Sequence, residues 1–331
     1  MNRELLLKML KIPSPSGKEK NIINFICSFL DKEQIKYTLD KAGNIYSLDF
    51  PNKPLLSAHI DTVQEAEDII MSDFIYDYGS FIKGAGVIGG DDKCGVFIIL
   101  EILKERKDIN FIFSVQEEVG GLGIFDVIEN EKEKIKKCSY GLVIDRKGNS
   151  DIISVNNGYG TKKFEEFLLK KSNGNFYSST GTFSDANYIC DLISCANISS
   201  GYYNAHTKKE FIMIEDVKKT LEFIKKVIED DTKFEAPIST LSDSFFQNYD
   251  DSFYQNYEDS FYKNNFSNFY GKTIGNFTVY DFDVCDICRE STTTYKIKYL
   301  EDTMCLKCLK EKINNIEKAF KEILRFENDR K

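Results

Sequence analysis

Histidine is scarce in this chain, with two in 331 residues. The first, His59, ends the apolar run Leu55-Leu56-Ser57-Ala58 and stands two residues before Asp61. Such a run, following Pro51-Asn52-Lys53-Pro54, reads as a strand buried on both faces. Residues i and i+2 of a strand share a face, so His59 and Asp61 can touch. That is the pairing in which a carboxylate fixes the tautomer of a metal-bound imidazole. Taken alone, these two residues better suit a core histidine beside a helix-capping aspartate. The rest of the chain decides between the readings. Asp91, the pair Glu117-Glu118 and Asp145 each fall just beyond a predicted strand, and the second histidine, His206, follows a short aromatic stretch. Five separate elements therefore send carboxylate or imidazole to one edge of one sheet, where open α/β folds keep their chemistry. Carboxylates gathered that closely repel one another unless cations hold them. Oxygen and imidazole ligands without thiolate suit zinc, manganese or cobalt in a two-metal hydrolase. Scattered surface acids are the competing explanation, since 53 Asp and Glu must go somewhere. Chance would seldom put both histidines and four acids at strand ends.

The elements that must position these groups alternate between strand and helix. Residues 4–12 read as a helix, broken by Pro13-Ser14-Pro15-Ser16-Gly17. Ser16 or Gly17 then caps a second helix running to Lys32, striped by Ile22, Ile26, Phe29 and Leu30. Strands are predicted at 36–39 and 45–50, then the His59 strand. Residues 64–90 read as glycine-rich loops with short β-like runs. An apolar helix covers 96–103, and buried strands cover 110–115 and 140–144. A helix over 215–229 closes the domain. The alternation predicts an α/β fold, a mostly parallel mixed sheet with helices on both faces.

Composition removes several classes. The net charge of −9 argues against a general nucleic-acid or anionic-membrane binder. No apolar run approaches the roughly 18 residues of a membrane span. Met1 to Ile12 mixes Leu with Lys and Glu and has no cleavage site after it, so it reads as an amphipathic helix and not a signal peptide. Of nine cysteines, Cys27, Cys94, Cys138, Cys190 and Cys195 are scattered singly, as free thiols of a reducing, cytoplasmic compartment are.

Between about Leu5 and Lys226 the motifs resemble the dinuclear zinc peptidases and amidohydrolases of the M20 type, the branch of tripeptidase T, carboxypeptidase G2 and succinyl-diaminopimelate desuccinylase. The residues carrying the likeness are Pro13-Ser14-Pro15-Ser16-Gly17, Asp40-Lys41-Ala42-Gly43-Asn44, Ser57-Ala58-His59-Ile60-Asp61-Thr62-Val63, Gly90-Asp91-Asp92-Lys93, Glu117-Glu118, Thr182-Phe183-Ser184-Asp185-Ala186 and His206. The resemblance implies two zinc ions, or manganese or cobalt, sharing Asp91. His59 and Asp145 would complete one site, Glu118 and His206 the other. Asp61 would orient His59, and Glu117 would be the general base for a water acidified by the metals. The resemblance also implies a cis peptide at Asp91–Asp92. Ser184 and Asp185 could contact substrate, brace the His206 loop or simply start a helix. The sequence departs from the family in one place. Only 61 residues separate Asp145 from His206, too few for the inserted lid and dimerisation domain of those relatives. The lid is expected to be absent or vestigial, and its substrate contacts cannot be carried over.

The last third differs in kind. Asp243-Ser244-Phe245-Phe246-Gln247-Asn248-Tyr249-Asp250 recurs as Asp251–Glu258 and again, in part, from Asp259. An eight-residue period drifts about 80° on a helix, so no apolar face persists. In a strand the aromatics would fall on both faces. The stretch reads as an acidic aromatic linker, or as a docking segment for a protein partner. Beyond it, Cys285, Cys288, Cys305 and Cys308 form two C-x-x-C knuckles 16 residues apart, the spacing of a structural zinc bound by four thiolates. Ile313, Ile316, Phe320, Ile323 and Leu324 follow as an amphipathic helix.

Three domains are expected: residues 1–236 as the metal hydrolase, 237–278 as linker, and 279–331 as a zinc-ribbon-like module. The expected activity is hydrolysis of a peptide or N-acyl amide bond, most plausibly by an aminopeptidase-like or tripeptidase-like exopeptidase. The alternative is an inert hydrolase fold that recruits partners through its repeats and ribbon. Expected partners are a short peptide or N-acyl amino acid substrate and a protein contact at the C-terminal region, without membrane or nucleic acid.

Overall fold

In a computed structural model the chain forms two compact units, Met1–Ser242 and Asp243–Lys331. The structure describes residues 1–237 and four later strands. The aromatic repeats and Cys285, Cys288 and Cys308 lie outside the described residues.

The first unit begins with helices α1 (Arg3–Leu10) and α2 (Lys20–Lys32), then strands β1 (Thr38–Leu39), β2 (Ile45–Ser47) and β3 (Leu55–His59). Helix α3 (Ala66–Met71), β4 (Ile75–Asp77) and β5 (Phe81–Gly84) precede helix α4 (Gly90–Leu103). Next come β6 (Asn110–Ser114), α5 (Leu122–Ile135), β7 (Gly141–Arg146), β8 (Asp151–Ile153), α6 (Lys162–Ser172), β9 (Tyr177–Ser179) and α7 (Ala186–Ile189). Strands β10 (Cys195–Ser199), β11 (Tyr202–Tyr203) and β12 (Phe211–Met213) and helix α8 (Ile214–Val227) complete it.

Eight strands form one sheet in the order β1-β2-β6-β3-β7-β10-β8-β9. The pairs β3–β6, β3–β7, β7–β10 and β8–β9 are parallel, while β1–β2, β2–β6 and β8–β10 are antiparallel. The sheet is therefore mixed, with parallel pairing through its centre from β6 to β10 and again at the β8–β9 edge. Alternation along the strands divides the core into two layers. Leu56, Phe111, Phe113, Leu142 and Ile144 pack with residues of α1, α2, α4, α6 and α8. Leu55, Ile112 and Val143 pack with residues of α5 and α7 on the other face. A smaller sheet, β11-β12-β5-β4, stands beside it.

Every residue of α4 is buried, which is why its sequence shows no amphipathic stripe. Gly95 permits its closest approach. A Cβ there would meet the Ile144 carbonyl oxygen of β7 at 2.1 Å and the Asp92 carboxylate at 2.5 and 2.7 Å. Gly95→Ala should lower the free energy of unfolding by about 3 kcal/mol, read from urea denaturation, and should disturb the site at both ends of this contact.

Three local expectations are corrected. Neither Ser16 nor Gly17 caps α2, whose N-cap is Glu19 and carries no side-chain cap. The Ser16 hydroxyl instead donates to Asp61 at 2.6 Å. The 64–90 segment contains α3, started by a reciprocal cap between Glu65 and Asp68, an acid–acid pairing unlike the usual Ser/Thr-x-x-Glu signal. Asp145 lies inside β7, not beyond it.

In the second unit the described strands are β13 (Lys272–Ile274), β14 (Phe277–Val284), β15 (Ser291–Ile297) and β16 (Thr303–Cys305), an antiparallel meander in that order. Among the described residues no helix is long and apolar enough to cross a membrane.

Candidate metal centre

The His59 strand, the turn before α4, the loop after β6, the end of β7 and the β11–β12 connection converge. His59 Nε2 lies 3.1 Å from Asp91 Oδ1 and 3.6 Å from Asp145 Oδ1. His206 Nε2 lies 3.2 Å from the other oxygen of Asp91, Oδ2, and 2.9 Å from Glu118 Oε1. Asp91 thus presents one oxygen to each histidine. Three ligand-sized groups result, His59–Asp91–Asp145, Asp91–Glu118–His206 and His59–Glu117–Glu118, each with its donor atoms within 4.8 Å of one another; the first two share Asp91. Glu117 Oε2 stands 3.9 Å from His59 Nε2. The Asp91–Asp92 peptide is cis, as the resemblance implied.

Local structure explains each placement. Asp91 and Asp92 have non-helical backbone angles at the head of α4, so the Asp91 side chain turns out of the helix. A register shift between β10 and β7 separates the Asn197–Val143 and Ser199–Arg146 pairs. The Asn197 side chain closes the gap, accepting from the Asp145 N–H at 3.1 Å and donating to the Asp145 carbonyl at 3.2 Å. A bulge of this kind re-aims a side chain, here that of Asp145. Tyr202 donates to Asp145 Oδ1 at 3.3 Å.

Asp61 does more than the sequence reading gave it. Its Oδ1 lies 3.3 Å from His59 Nδ1, and its carboxylate also accepts the backbone N–H groups of Glu117 at 2.9 Å and Glu118 at 3.2 Å. One buried carboxylate therefore holds the histidine strand and the Glu-Glu pair in fixed relation. Of the expectations for Asp185 the helix start is met, since it is the N-cap residue of α7, without a side-chain cap. It is buried, and its Oδ2 accepts from Ser57 at 3.2 Å and Ser114 at 2.6 Å, beneath the site between β3 and β6.

The donor set fits divalent cations, and the protein without them is electrostatically unbalanced. Burial would lower the proton affinity of His59, but Asp145, Asp61 and Asp91 outweigh it and hold the imidazole well above its usual range. Asp91 and Glu118 push His206 up to about 10. Burial, reinforced by the charge of Asp91, pushes Asp145 up to about 8. Burial likewise pushes Glu117 up to about 10, with Asp145, Asp185 and Glu118 adding to it against His59. Glu118 Oε1 is buried and, despite its proximity to His206, makes no hydrogen bond of good geometry. A buried lone pair aimed at an imidazole nitrogen, beside a third acceptor from Asp91, is what a cation would bind.

A cavity of about 790 Å³ opens from this cluster, lined among others by Arg146, Gly181, Phe183, Tyr203 and His206. Asp91, Asp145, Glu118 and His206 line the cavity, while His59, 2% exposed against 47% for His206, lies beneath them.

Residues 55–230, over half the chain, match the model of peptidase family M20/M25/M40. The chain belongs to that family. A curated relative, a putative LysW-lysine/LysW-ornithine hydrolase of Pyrococcus furiosus, is 25% identical over 171 residues, 50% of this chain and 48% of the relative. The chain thus spans about half the length of that curated relative. The M20 chain is also similar in fold to aminopeptidase PepT of Bacillus cereus (TM-score 0.58, 16% identity, covering 70% of this chain and 99% of that one). An aminopeptidase of the archaeon Desulfurococcus kamchatkensis gives a TM-score of 0.55 at 17% identity, covering 69% and 94%. A tripeptidase of Staphylococcus aureus gives 0.54 at 14%, covering 68% and 96%. At these identities the likeness speaks for the fold.

Sequence reasoning gave Ser16 a capping role in place of its bond to Asp61, and missed Asn197, Tyr202 and, most of all, Glu210. Glu210 is fully buried and accepts the backbone N–H groups of Ile88, Gly89 and Asp91. No period or motif marks it; it is one acid after two lysines.

Proposed function

We propose that this M20 protein is a dinuclear-metal hydrolase of peptide or N-acyl amide bonds, acting as an exopeptidase of the aminopeptidase or tripeptidase kind. The observation that carries the reading is the shared carboxylate, with the two oxygens of Asp91 each facing a different histidine and each histidine joined by one further acid. His59, Asp91 and Asp145 would hold one cation, and Asp91, Glu118 and His206 the other. Bound dications would polarise the scissile carbonyl, acidify the attacking water and draw Glu117 towards its ionised form. Glu117 then takes the proton of that water and returns it to the leaving amine. Asp61 keeps His59 in one tautomer and fixes the backbone from which Glu117 projects. Phe183, Tyr203 and Arg146 offer the substrate an apolar wall and one cation beside the reacting bond. The curated relative is named for substrates containing lysine or ornithine, which keeps N-acyl amino acids beside peptides as the class to test.

Residues 147–205 hold β8, α6, β9, α7, β10 and β11; β8, β9 and β10 extend the main sheet and β11 joins the smaller one. This supports the reading that the lid of the longer relatives is absent and that substrate enters from an open face. Cytoplasmic residence and the division at 236/237 and 278/279 belong to the same proposal. So does one structural zinc at Cys285, Cys288, Cys305 and Cys308. What supports it is strand register: Val284 pairs with Ser291 and Cys305 with Thr294, so the chain leaves β14 and reaches the end of β16 at one end of the meander. A closed four-thiolate site binds structure, not substrate.

The test is metal analysis of the purified chain with a screen of short peptides and N-acyl amino acids. Three metals per chain and turnover are expected; fewer than two outside the cysteine module, or no turnover of either class, would refute the reading. Affinity for zinc should also rise with pH. His206 in the metal-free protein titrates at about 10, so below that pH a cation must displace its proton. Affinity should therefore climb about tenfold per pH unit for each proton displaced between pH 6 and 8, as measured by competitive chelation.

A further inference from the structure

Glu210 belongs to none of the ligand-sized groups and does not line the cavity. The β11–β12 connection is exposed from His206 to Lys209, then buries Glu210 completely. Its Oε2 accepts from Ile88 N–H at 2.8 Å and Gly89 N–H at 2.9 Å, and its Oε1 from Asp91 N–H at 3.1 Å. All three donors belong to the turn that delivers the shared carboxylate. The acceptor lies four residues from His206. In between, the connection is knotted onto itself: Thr207 Oγ1 donates to Asn204 O at 2.7 Å, and Glu210 N–H donates to Thr207 O at 2.9 Å. His206 and Asn204 both take left-handed backbone angles, φ 62° and 55°. The turn is equally closed. A Cβ on Gly90 would stand 3.0 Å from Tyr202 Cβ and Ile212 Cγ1 and 3.1 Å from Glu210 Oε1. The strands on either side of the connection, and the carboxylate at its end, therefore pack directly on the Asp91 turn.

We infer that Glu210 is a positioning residue that couples the His206 loop to the backbone of Asp91, and so sets the geometry of the Asp91–Glu118–His206 cation site in particular. The inference rests on the two-cation reading. His59 and Asp145 reach Asp91 from strands of the main sheet, independent of Glu210. His206 sits on a hairpin of the smaller sheet, half exposed, and owes its place to the clasp. A carboxylate can accept all three N–H groups at once, whereas a glutamine would turn an amide N–H₂ towards backbone donors.

The test is calorimetric zinc titration of the metal-free protein, comparing wild type with Glu210→Gln, Glu210→Asp, His206→Ala and the double variant Glu210→Gln/His206→Ala. Glu210→Gln should weaken the second zinc by about tenfold to a hundredfold, as loss of an outer hydrogen-bond partner does. The first zinc should bind as in wild type. In the His206→Ala background the same change should do nothing further to the remaining site. Amide exchange at Gly89 and Asp91 should speed up in metal-free Glu210→Gln. Equal weakening of both sites, no weakening of either, or additivity with His206→Ala would overturn the inference. If Glu210→Gln does not fold, Glu210→Asp carries the same comparison, and unaltered second-site affinity there would overturn it. A wild-type chain that binds no zinc pair would instead sink the two-cation reading.

Discussion

Glu117→Gln should lower kcat by about two to four orders of magnitude, the usual share of a positioned general base, with KM and metal content close to wild type. The substitution keeps the volume of a buried side chain and removes only its capacity to take a proton. The Glu117 carboxylate lies 3.9 Å from His59 Nε2 and shares a ligand-sized group with His59 and Glu118, but belongs to neither of the two groups that contain Asp91. The loop that carries it is held through its backbone, by Asp61, so glutamine leaves that anchor in place. Turnover within tenfold of wild type would remove Glu117 from the reaction. A collapse of metal content would reassign it as a ligand.

Asp91→Ala should have the broader effect. It is the one side chain common to both His-containing groups that complete the proposed pair, so its loss should empty both sites where His206→Ala empties one. The decrease in affinity should exceed the 10–100-fold that outer partners contribute, and mass spectrometry should find the catalytic metals gone while any zinc at the cysteines remains. Turnover should be undetectable. The fold should survive, because removing one carboxylate from this cluster also relieves repulsion that raises the proton affinity of Asp145. A variant that keeps one catalytic metal would show that Asp91 is not shared.

The chemistry-bearing residues were readable in the sequence because they occupy positions with a period or a boundary. His59 ends a five-residue buried run, and Glu117 follows the β6 strand in the same way. The central strands and α4 announce themselves by continuous apolar composition, which burial on both faces requires. What escaped has a common physical character. Ser16, Asn197 and Glu210 act through residues distant in the sequence, a carboxylate for the first and backbone groups for the other two, and such pairings leave no periodic trace. The short strands β4 and β5 show in the sequence only as β-like runs within 64–90, and β11 and β12 are too brief to alternate visibly. The Glu65–Asp68 cap is hidden in the sequence because glutamate is not among the usual N-cap residues. Asp185 was seen within a motif but not understood, since its partners, Ser57 and Ser114, lie on strands more than 70 residues away.

The contact at Gly95 has a consequence for how this centre could diversify. Helix α4 carries Asp91 and strand β7 carries Asp145, and the two elements meet main chain to main chain where a methyl group would not fit. The separation of those two ligands is consequently gauged by peptide groups, which are identical in every protein, and not by the identity of core side chains. Apolar residues elsewhere in the interior can be exchanged, and the walls formed by Phe183 and Tyr203 reshaped for other substrates, while the spacing of the inner ligands stays at its inherited value.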